Sequence, residues 1–190
     1  MTVLPITIWG EPVLHRRASE VEVFDDELRT LIADMIETNE AANGVGLAAP
    51  QVGVGKRIFI FKYANDDDAP DEGVVVNPVL TLSKVSGALP DPEEHIEGCL
   101  SFPGESYPLQ RAEWARVQGF DGDGRPVDFV ATGWFARVMQ HEFDHLDGKL
   151  YVNRLVDRYS KKAMKQAKKH GWGVPGLTWM PGVDPDPFGH

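Results

Sequence analysis

The chain has 190 residues, which is enough for one domain with a hydrophobic core and short for two. Its apolar fraction of 42% and charged fraction of 25% are ordinary for a globular protein. No apolar run approaches the roughly 18 residues of a membrane span, and the net charge of −10 argues against general nucleic-acid binding. At the N-terminus the positive charges come after a short apolar stretch, whereas a secretory signal has them before it. We therefore expect a cytoplasmic protein with no membrane partner and no sequence-specific nucleic-acid binding.

The first half of the chain predicts one helix and two strands. Residues 25–43 place apolar side chains at helical spacing, begin with acidic residues and end at Asn-Gly, which is typical of an amphipathic helix. A glycine-rich loop, GVGLAAPQVGVG, follows. Residues 57–63 and 74–82 are rich in β-branched and aromatic side chains and predict strands, the second interrupted at Pro78.

The second half predicts a hairpin followed by two helices. Residues 89–108 hold too many prolines and glycines for a helix, and residues 114–120 and 125–131 flank an Asp-Gly-Asp-Gly turn. Thr132 can cap a helix from about Gly133 to Asp147, and Gly148 can end it. We expect an α+β fold in which antiparallel sheets pack around this central helix.

We divide the chain into one catalytic domain and a tail. The domain, residues 1–170, includes a basic helix at about 154–170, and residues 171–190 form a tail dense in Gly, Pro and Trp. The tail has no function that the sequence reveals.

The central helix carries the motif HEFDH. On a helix His141 and His145 lie on one face, so both imidazoles can bind one metal ion. Glu142 then lies beside the open metal position, where it can take a proton from water. The alternative is a surface helix that happens to carry two histidines. Apolar neighbours around the motif favour the metal site.

The third protein ligand has to come from elsewhere in the chain. Position 151, where extended protease motifs place a histidine, is Tyr151, and no glutamate follows Glu142. His170 and His190 lie at the end of the basic helix and at the last position of the tail. We favour Cys99 over His95, because a thiolate and two imidazoles suit zinc or ferrous iron. The only cysteine of the chain could otherwise be an inert buried thiol.

With these residues in view, the chain resembles the peptide deformylases. Three ordered blocks carry the resemblance: GVGLAAPQ (44–51), EGCLS (97–101) and QHEFDHLDG (140–148). The resemblance covers roughly Ile6 to Tyr159. It implies removal of the N-formyl group from the starting methionine of new polypeptides, with release of formate. It also implies one divalent metal ion per chain, Fe²⁺ natively, with Zn²⁺ or Ni²⁺ as alternatives.

The resemblance assigns roles to matching residues. Cys99, His141 and His145 would bind the metal, Glu142 would be the general base, and the Gln51 amide and the Leu100 backbone N–H would stabilise the oxyanion. The substrate pocket would draw on Val45, Gly46, Trp134, Arg137, Val138 and Phe102. Gln51 could instead be a loop-packing amide.

Three of the pocket residues depart from the expected pattern. Trp134 is bulkier than the usual aliphatic residue. Arg137 is unexpected in an apolar pocket, although its stem could form a wall while its guanidinium reaches solvent or an acid. Phe102 replaces a smaller residue beside the expected peptide groove. Outside the pocket, we expect Glu97 to pair with Arg111 and hold the metal loop.

The basic segment is electrostatically distinct. Residues 154–170 hold seven lysines and arginines against Asp157 alone, a net charge of +6 that leaves −16 on the other residues. This helix is either a solvated face or a docking surface for the ribosome. Two further readings of the whole chain stay open: a metalloprotease that cuts internal peptide bonds, and a non-catalytic metal-binding or ribosome-associated protein.

Overall fold

The structure, a computed structural model, describes residues 2–63 and 71–189 and has three α-helices and nine strands in those ranges. The helices are α1 (Asp26–Ala41), α2 (Gly133–Leu146) and α3 (Asp157–Lys169). The strands are β1 (Ile6–Thr7), β2 (Gly46–Ala48), β3 (Ile58–Lys62), β4 (Glu72–Leu82), β5 (Ile96–Cys99), β6 (Phe102–Pro108), β7 (Trp114–Phe120), β8 (Pro126–Thr132) and β9 (Thr178–Trp179). None of these helices is long and apolar enough to cross a membrane.

An antiparallel five-stranded sheet, in the order β2-β3-β4-β7-β8, supports the central helix. Alternate strand residues such as Phe59, Val75 and Val117 are buried with Phe135 and Met139 of α2 in one apolar cluster. The predicted α+β architecture is confirmed. The interruption expected at Pro78 takes the form of a register shift between Val76 and Val79, because proline cannot donate to the ladder.

Helix α2 is almost wholly buried, although its sequence includes Arg137, Glu142, Asp144 and two histidines. It begins at Gly133, as predicted, with Thr132 at the N-cap position but without the side-chain capping hydrogen bond expected of this residue, and it ends at Leu146 with Asp147 as its C-cap. Gly148 follows with a φ of +70°, a conformation that ordinary L-residues disfavour. The helix therefore delivers its polar side chains to the interior of the protein.

Strands β5 and β6 form a separate two-stranded antiparallel sheet that carries the EGCLS block. Its side chains pack into a second apolar cluster with α3, through Tyr159, Ala163 and Ala167. The basic helix begins at Asp157 rather than 154, because residues 151–154 form a 3₁₀ turn.

Residues 171–189 pack against the rest of the chain. Strand β9 pairs with β1 in antiparallel register, and Trp179 is buried in a core cluster with Ile6. The indole N–H of Trp179 donates to the Leu100 carbonyl oxygen at 2.9 Å. The tail thus contacts the loop that carries the predicted cysteine ligand.

We predict that Gly148→Ala destabilises the protein more than Gly171→Ala. Both glycines follow a helix with φ near +70°, so both substitutions carry the cost of a left-handed residue, about 1 kcal/mol. A Cβ at Gly148 would also lie 2.7 Å from backbone atoms of Arg16, whereas nothing lies within 4 Å of one at Gly171. Urea unfolding measures the loss in the free energy of unfolding for each variant. This loss should be about 1–3 kcal/mol larger for Gly148→Ala than for Gly171→Ala. Equal losses in the two variants would show that the contact with the Arg16 backbone does not contribute to the destabilisation.

Candidate active site

Strand β5 and helix α2 bring together the three predicted metal ligands. Cys99 Sγ lies 3.3 Å from His145 Nε2, which lies 3.2 Å from His141 Nε2. One ligand atom of each residue lies within 4.8 Å of the others, and all three residues are buried. A tetrahedral zinc site would put two imidazole nitrogens about 3.4 Å apart and a thiolate sulfur about 3.6 Å from each. The donor set therefore fits a single metal ion.

The competing histidines lie elsewhere. His95 accepts a hydrogen bond at Nδ1 from the Asp91 backbone N–H, and His170 stacks on Trp172. His190 lies outside the described residues. Cys99 is therefore the side chain that joins the two helix histidines, as predicted.

Glu97 binds the His141 ring from the side away from the ligand cluster. Its Oε1 lies 2.7 Å from His141 Nδ1, so that nitrogen can donate and leave the Nε2 lone pair to face Cys99 and His145. The predicted pair with Arg111 is present, with Glu97–Arg111 distances of 2.6 and 3.1 Å. Burial alone would raise the pKa of Glu97, but Arg111 and His141 outweigh burial and hold this pKa well below its usual range.

Arg137 is a second cation on the same carboxylate, and the sequence did not predict this contact. Its Nη1 donates to Glu97 Oε2 at 3.0 Å and to the Leu109 carbonyl oxygen at 2.7 Å. The guanidinium was expected to reach either solvent or an acid. It reaches an acid, although the sequence did not identify Glu97 as that acid. Arg111 also donates to Asp144, which in turn accepts from Arg154. Asp144 lies within the HEFDH motif, and its charge on a buried helix was the signal that could have identified it.

A cavity of about 260 Å³ opens beside the ligand cluster. The predicted site residues that line it are Val45, Gly46, Gln51, Glu97, Cys99, Leu100, Trp134, Arg137, Val138, His141 and Glu142. Trp134 is 46% exposed at the cavity, whereas Val138 is 3% exposed. The cavity thus combines the ligand face with an apolar wall from α2.

The expected position of Phe102 in the groove is wrong. Its side chain is 0% exposed and packs edge-on against Trp9, Tyr151 and Trp172 in the second apolar cluster. Two of these partners come from the N-terminus and the tail, whose proximity the local sequence does not indicate. Phe102 packs in the apolar cluster beneath the β5–β6 hairpin and does not line the cavity.

Glu142 is buried with its carboxylate at the cavity. Burial raises the pKa of this carboxyl to about 7. Within the described part of the chain, Glu142 Oε2 and His145 Nδ1 are buried without a hydrogen-bond partner. A Cβ built at Gly46 would lie 2.5 Å from Glu142 Oε1, which explains why glycine faces this carboxylate. An unpartnered buried carboxylate oxygen beside a ligand cluster is suited to proton transfer.

Gln51 and Leu100 line the cavity near the sulfur. The Gln51 side-chain oxygen accepts from the Ala48 backbone N–H at 2.9 Å, so its NH₂ group is directed to the other side. That nitrogen lies 3.8 Å from Cys99 Sγ and 3.4 Å from Ser101 Oγ. Gln51 therefore both packs the loop and presents a donor at the site, so the two readings of this residue are compatible.

We predict that Glu97→Gln weakens metal retention by about 10- to 100-fold, the usual effect of losing a carboxylate behind a ligating histidine. Chelator competition followed by elemental analysis measures this. Glu22→Gln removes an exposed carboxylate and is the matched control. If both variants retain metal as the parent does, Glu97 does not support the ligands.

Comparisons with known proteins agree with these features. The profile of the polypeptide deformylase family matches residues 3–161. A peptide deformylase from Mycolicibacterium paratuberculosis is 54% identical over 197 residues, covering all of both chains. The crystal structure of a peptide deformylase from Legionella pneumophila has 36% identity and a TM-score of 0.75, covering 89% of this chain and 95% of its own. That from Ehrlichia chaffeensis in complex with actinonin has 34% identity and a TM-score of 0.77, covering 90% and 98%. The chain belongs to the peptide deformylase family.

Proposed function

We propose that this peptide deformylase releases formate from formyl-methionyl polypeptides by metal-assisted hydrolysis at Cys99, His141 and His145. One observation carries the proposal: the buried ligand atoms of Cys99, His141 and His145 lie within 4.8 Å of one another, and the first two of these residues line the same cavity as Glu142. Among the described residues, Glu142 Oε2 is buried without a hydrogen-bond partner. We propose Fe²⁺ as the native ion, with Zn²⁺ or Ni²⁺ as substitutes, since one thiolate and two imidazoles suit such metals. The cytoplasmic location stays a prediction.

A bound divalent cation would supply Lewis acidity, which lowers the pKa of water from about 15.7 towards about 7. Glu142 is placed to accept the proton released when water attacks the formyl carbon. Its carboxyl, with a pKa of about 7, can then return that proton to the leaving amine. The C–N bond breaks, formate leaves, and the free methionyl amine remains.

The oxyanion that forms during attack needs donors fixed in advance. We assign this task to the Gln51 side-chain NH₂ and the Leu100 backbone N–H. Gln51 is held by its bond from the Ala48 N–H, and the Leu100 residue is held by the bond from Trp179 to its carbonyl oxygen. Neither group has to reorganise as charge develops.

The methionine side chain would lie against α2, where Val138 and the aliphatic stem of Arg137 form an apolar wall below Trp134. Arg137 can serve there because its charge is paired with Glu97 and the Leu109 carbonyl. Gly46 and Val45 also line the cavity. Backbone groups of β2 would pair with the extended peptide as in strand addition.

Glu142→Gln tests this mechanism. We expect kcat for formate release from a formyl-Met peptide to fall by about 10²- to 10⁴-fold, because the amide cannot accept the proton. Metal content should stay at the parent level, since Glu142 is not in the ligand set. The anaerobically purified parent should release formate and leave an N-acetylated internal peptide uncut. Retained turnover in the variant would remove Glu142 as the base, and internal cleavage would favour a metalloprotease.

We further propose that α3 docks on the ribosome. Five lysines of this helix are exposed, whereas Tyr159, Ala163 and Ala167 on its other face pack into the core. An exposed cationic face on an otherwise acidic protein suits contact with the RNA backbone. Because α3 also packs the second apolar cluster, a charge-reversal variant tests docking better than deletion.

We predict that reversing Lys161, Lys165 and Lys168 to glutamate abolishes co-sedimentation with ribosomes at low salt. The control reverses three exposed lysines elsewhere, Lys56, Lys84 and Lys149, with the same change in net charge. The control should still co-sediment, and its binding should weaken steeply with salt. Equal behaviour of the two variants would contradict docking through α3.

A further inference from the structure

The end of the tail reaches the active-site cavity. Phe188 lines this cavity together with Gly98 and Leu100 of the metal-binding loop. A Cβ built at the exposed Gly98 would lie 3.4 Å from the Phe188 ring, and one built at Gly104 would lie 3.0 Å from the Pro187 carbonyl oxygen. Residues 187–188 therefore lie across the outer face of the β5–β6 hairpin, beside the cavity opening.

A series of contacts fixes the path of the tail before it reaches this point. The Gly173 N–H donates to the Trp9 carbonyl oxygen at 3.0 Å, and the Gly176 N–H donates to Glu11 Oε2 at 2.7 Å. Strand β9 then pairs with β1, and Trp179 binds the Leu100 carbonyl. A turn at Met180–Asp184 follows, in which the Met180 N–H donates to Asp184 Oδ2 at 2.7 Å. The tail is therefore anchored to the rest of the protein as far as Trp179, and the turn that follows directs it towards the hairpin.

Phe188 stands on a different side of the cavity from the proposed methionine pocket. That pocket is built on α2, around Val138 and Arg137, whereas Phe188 packs on β5 at Gly98. A peptide that places its formyl group at the ligand cluster and its methionine against α2 must continue past this second wall. The half-buried ring of Phe188 offers an apolar surface to the residues that follow.

We infer that Phe188 is a specificity-determining residue that favours a large apolar side chain directly after the formyl-methionine. This inference rests on the proposed deformylase reaction and adds a wall from outside residues 3–161, the family-matched region. A Cβ at Gly98 would lie at van der Waals distance from the ring, so Phe188 packs directly on β5 beside the metal-binding loop. The preference therefore arises from an aromatic contact and not from the metal centre.

The test compares two substrates in three proteins. Formate release is measured with formyl-Met-Phe and formyl-Met-Gly peptides of equal length, for the parent, Phe188→Ala and Val183→Ala. Val183 belongs to the same segment but is 79% exposed, so it is the matched control. In Phe188→Ala we expect KM for the phenylalanine peptide to rise about threefold to tenfold, the usual loss for one aromatic contact. KM for the glycine peptide and kcat for both should stay within about twofold.

The control should match the parent on both peptides, and Phe188→Leu should restore part of the lost preference. Unchanged KM values in Phe188→Ala would overturn the inference. So would equal losses on both peptides with a lowered Tm, which would indicate a structural role only. A parent that releases no formate would instead contradict the proposed function, so the two failures are distinguishable.

Discussion

The burial of the Glu97 charge is the constraint on which the site depends. Removing an ion from water costs several kcal/mol unless partners replace the water, and here Arg111, Arg137 and His141 do so. Arg137 and His141 belong to α2, and Arg111 lies in the loop before β7, so the carboxylate joins β5 to both. Cys99 lies two residues beyond Glu97 on the same strand. Satisfying one charge thus sets the position of the cysteine relative to the two histidines.

Buried polar groups of α2 also need hydrogen-bond partners, and most of them have one. Asp144 accepts hydrogen bonds from Arg111 and Arg154, and Gln140 exchanges two with the Ala112 backbone. These polar residues are paired, as buried groups generally are. Glu142 and His145 each keep one buried atom without a partner in the described ranges. On α2 these exceptions are residues of the candidate active site, and a carboxylate oxygen without a partner is suited to accept a proton.

Local spacing was sufficient to predict that His141, Glu142 and His145 of α2 belong to the site, but not the ion pairs of Arg137 and Asp144 on the same helix. The interval between His141 and His145 fixes a shared face, and the absence of a histidine at position 151 and of any glutamate after Glu142 led to Cys99. The fold class followed from the same kind of pattern. Phe102 was misjudged because its partners Trp9 and Trp172 are distant in sequence. Phe188 carried no signal at all, since its neighbour Gly98 lies ninety positions earlier and long-range contacts such as the strand pair β1–β9 bring the tail there.

Substitutions at Arg137 and at Phe188, on two walls of the cavity, should differ in their effect on the metal site. Arg137 lines the methionine side and also bonds Glu97, and its guanidinium lies 5.5 Å from the Trp134 ring. A change there alters the pocket and, through Glu97, the orientation of His141. Phe188 contributes an uncharged ring from a segment held by β1 and by the Leu100 carbonyl. Selection on peptide preference can therefore act on the tail with little effect on the ligand geometry, whereas selection on Arg137 affects preference and metal together.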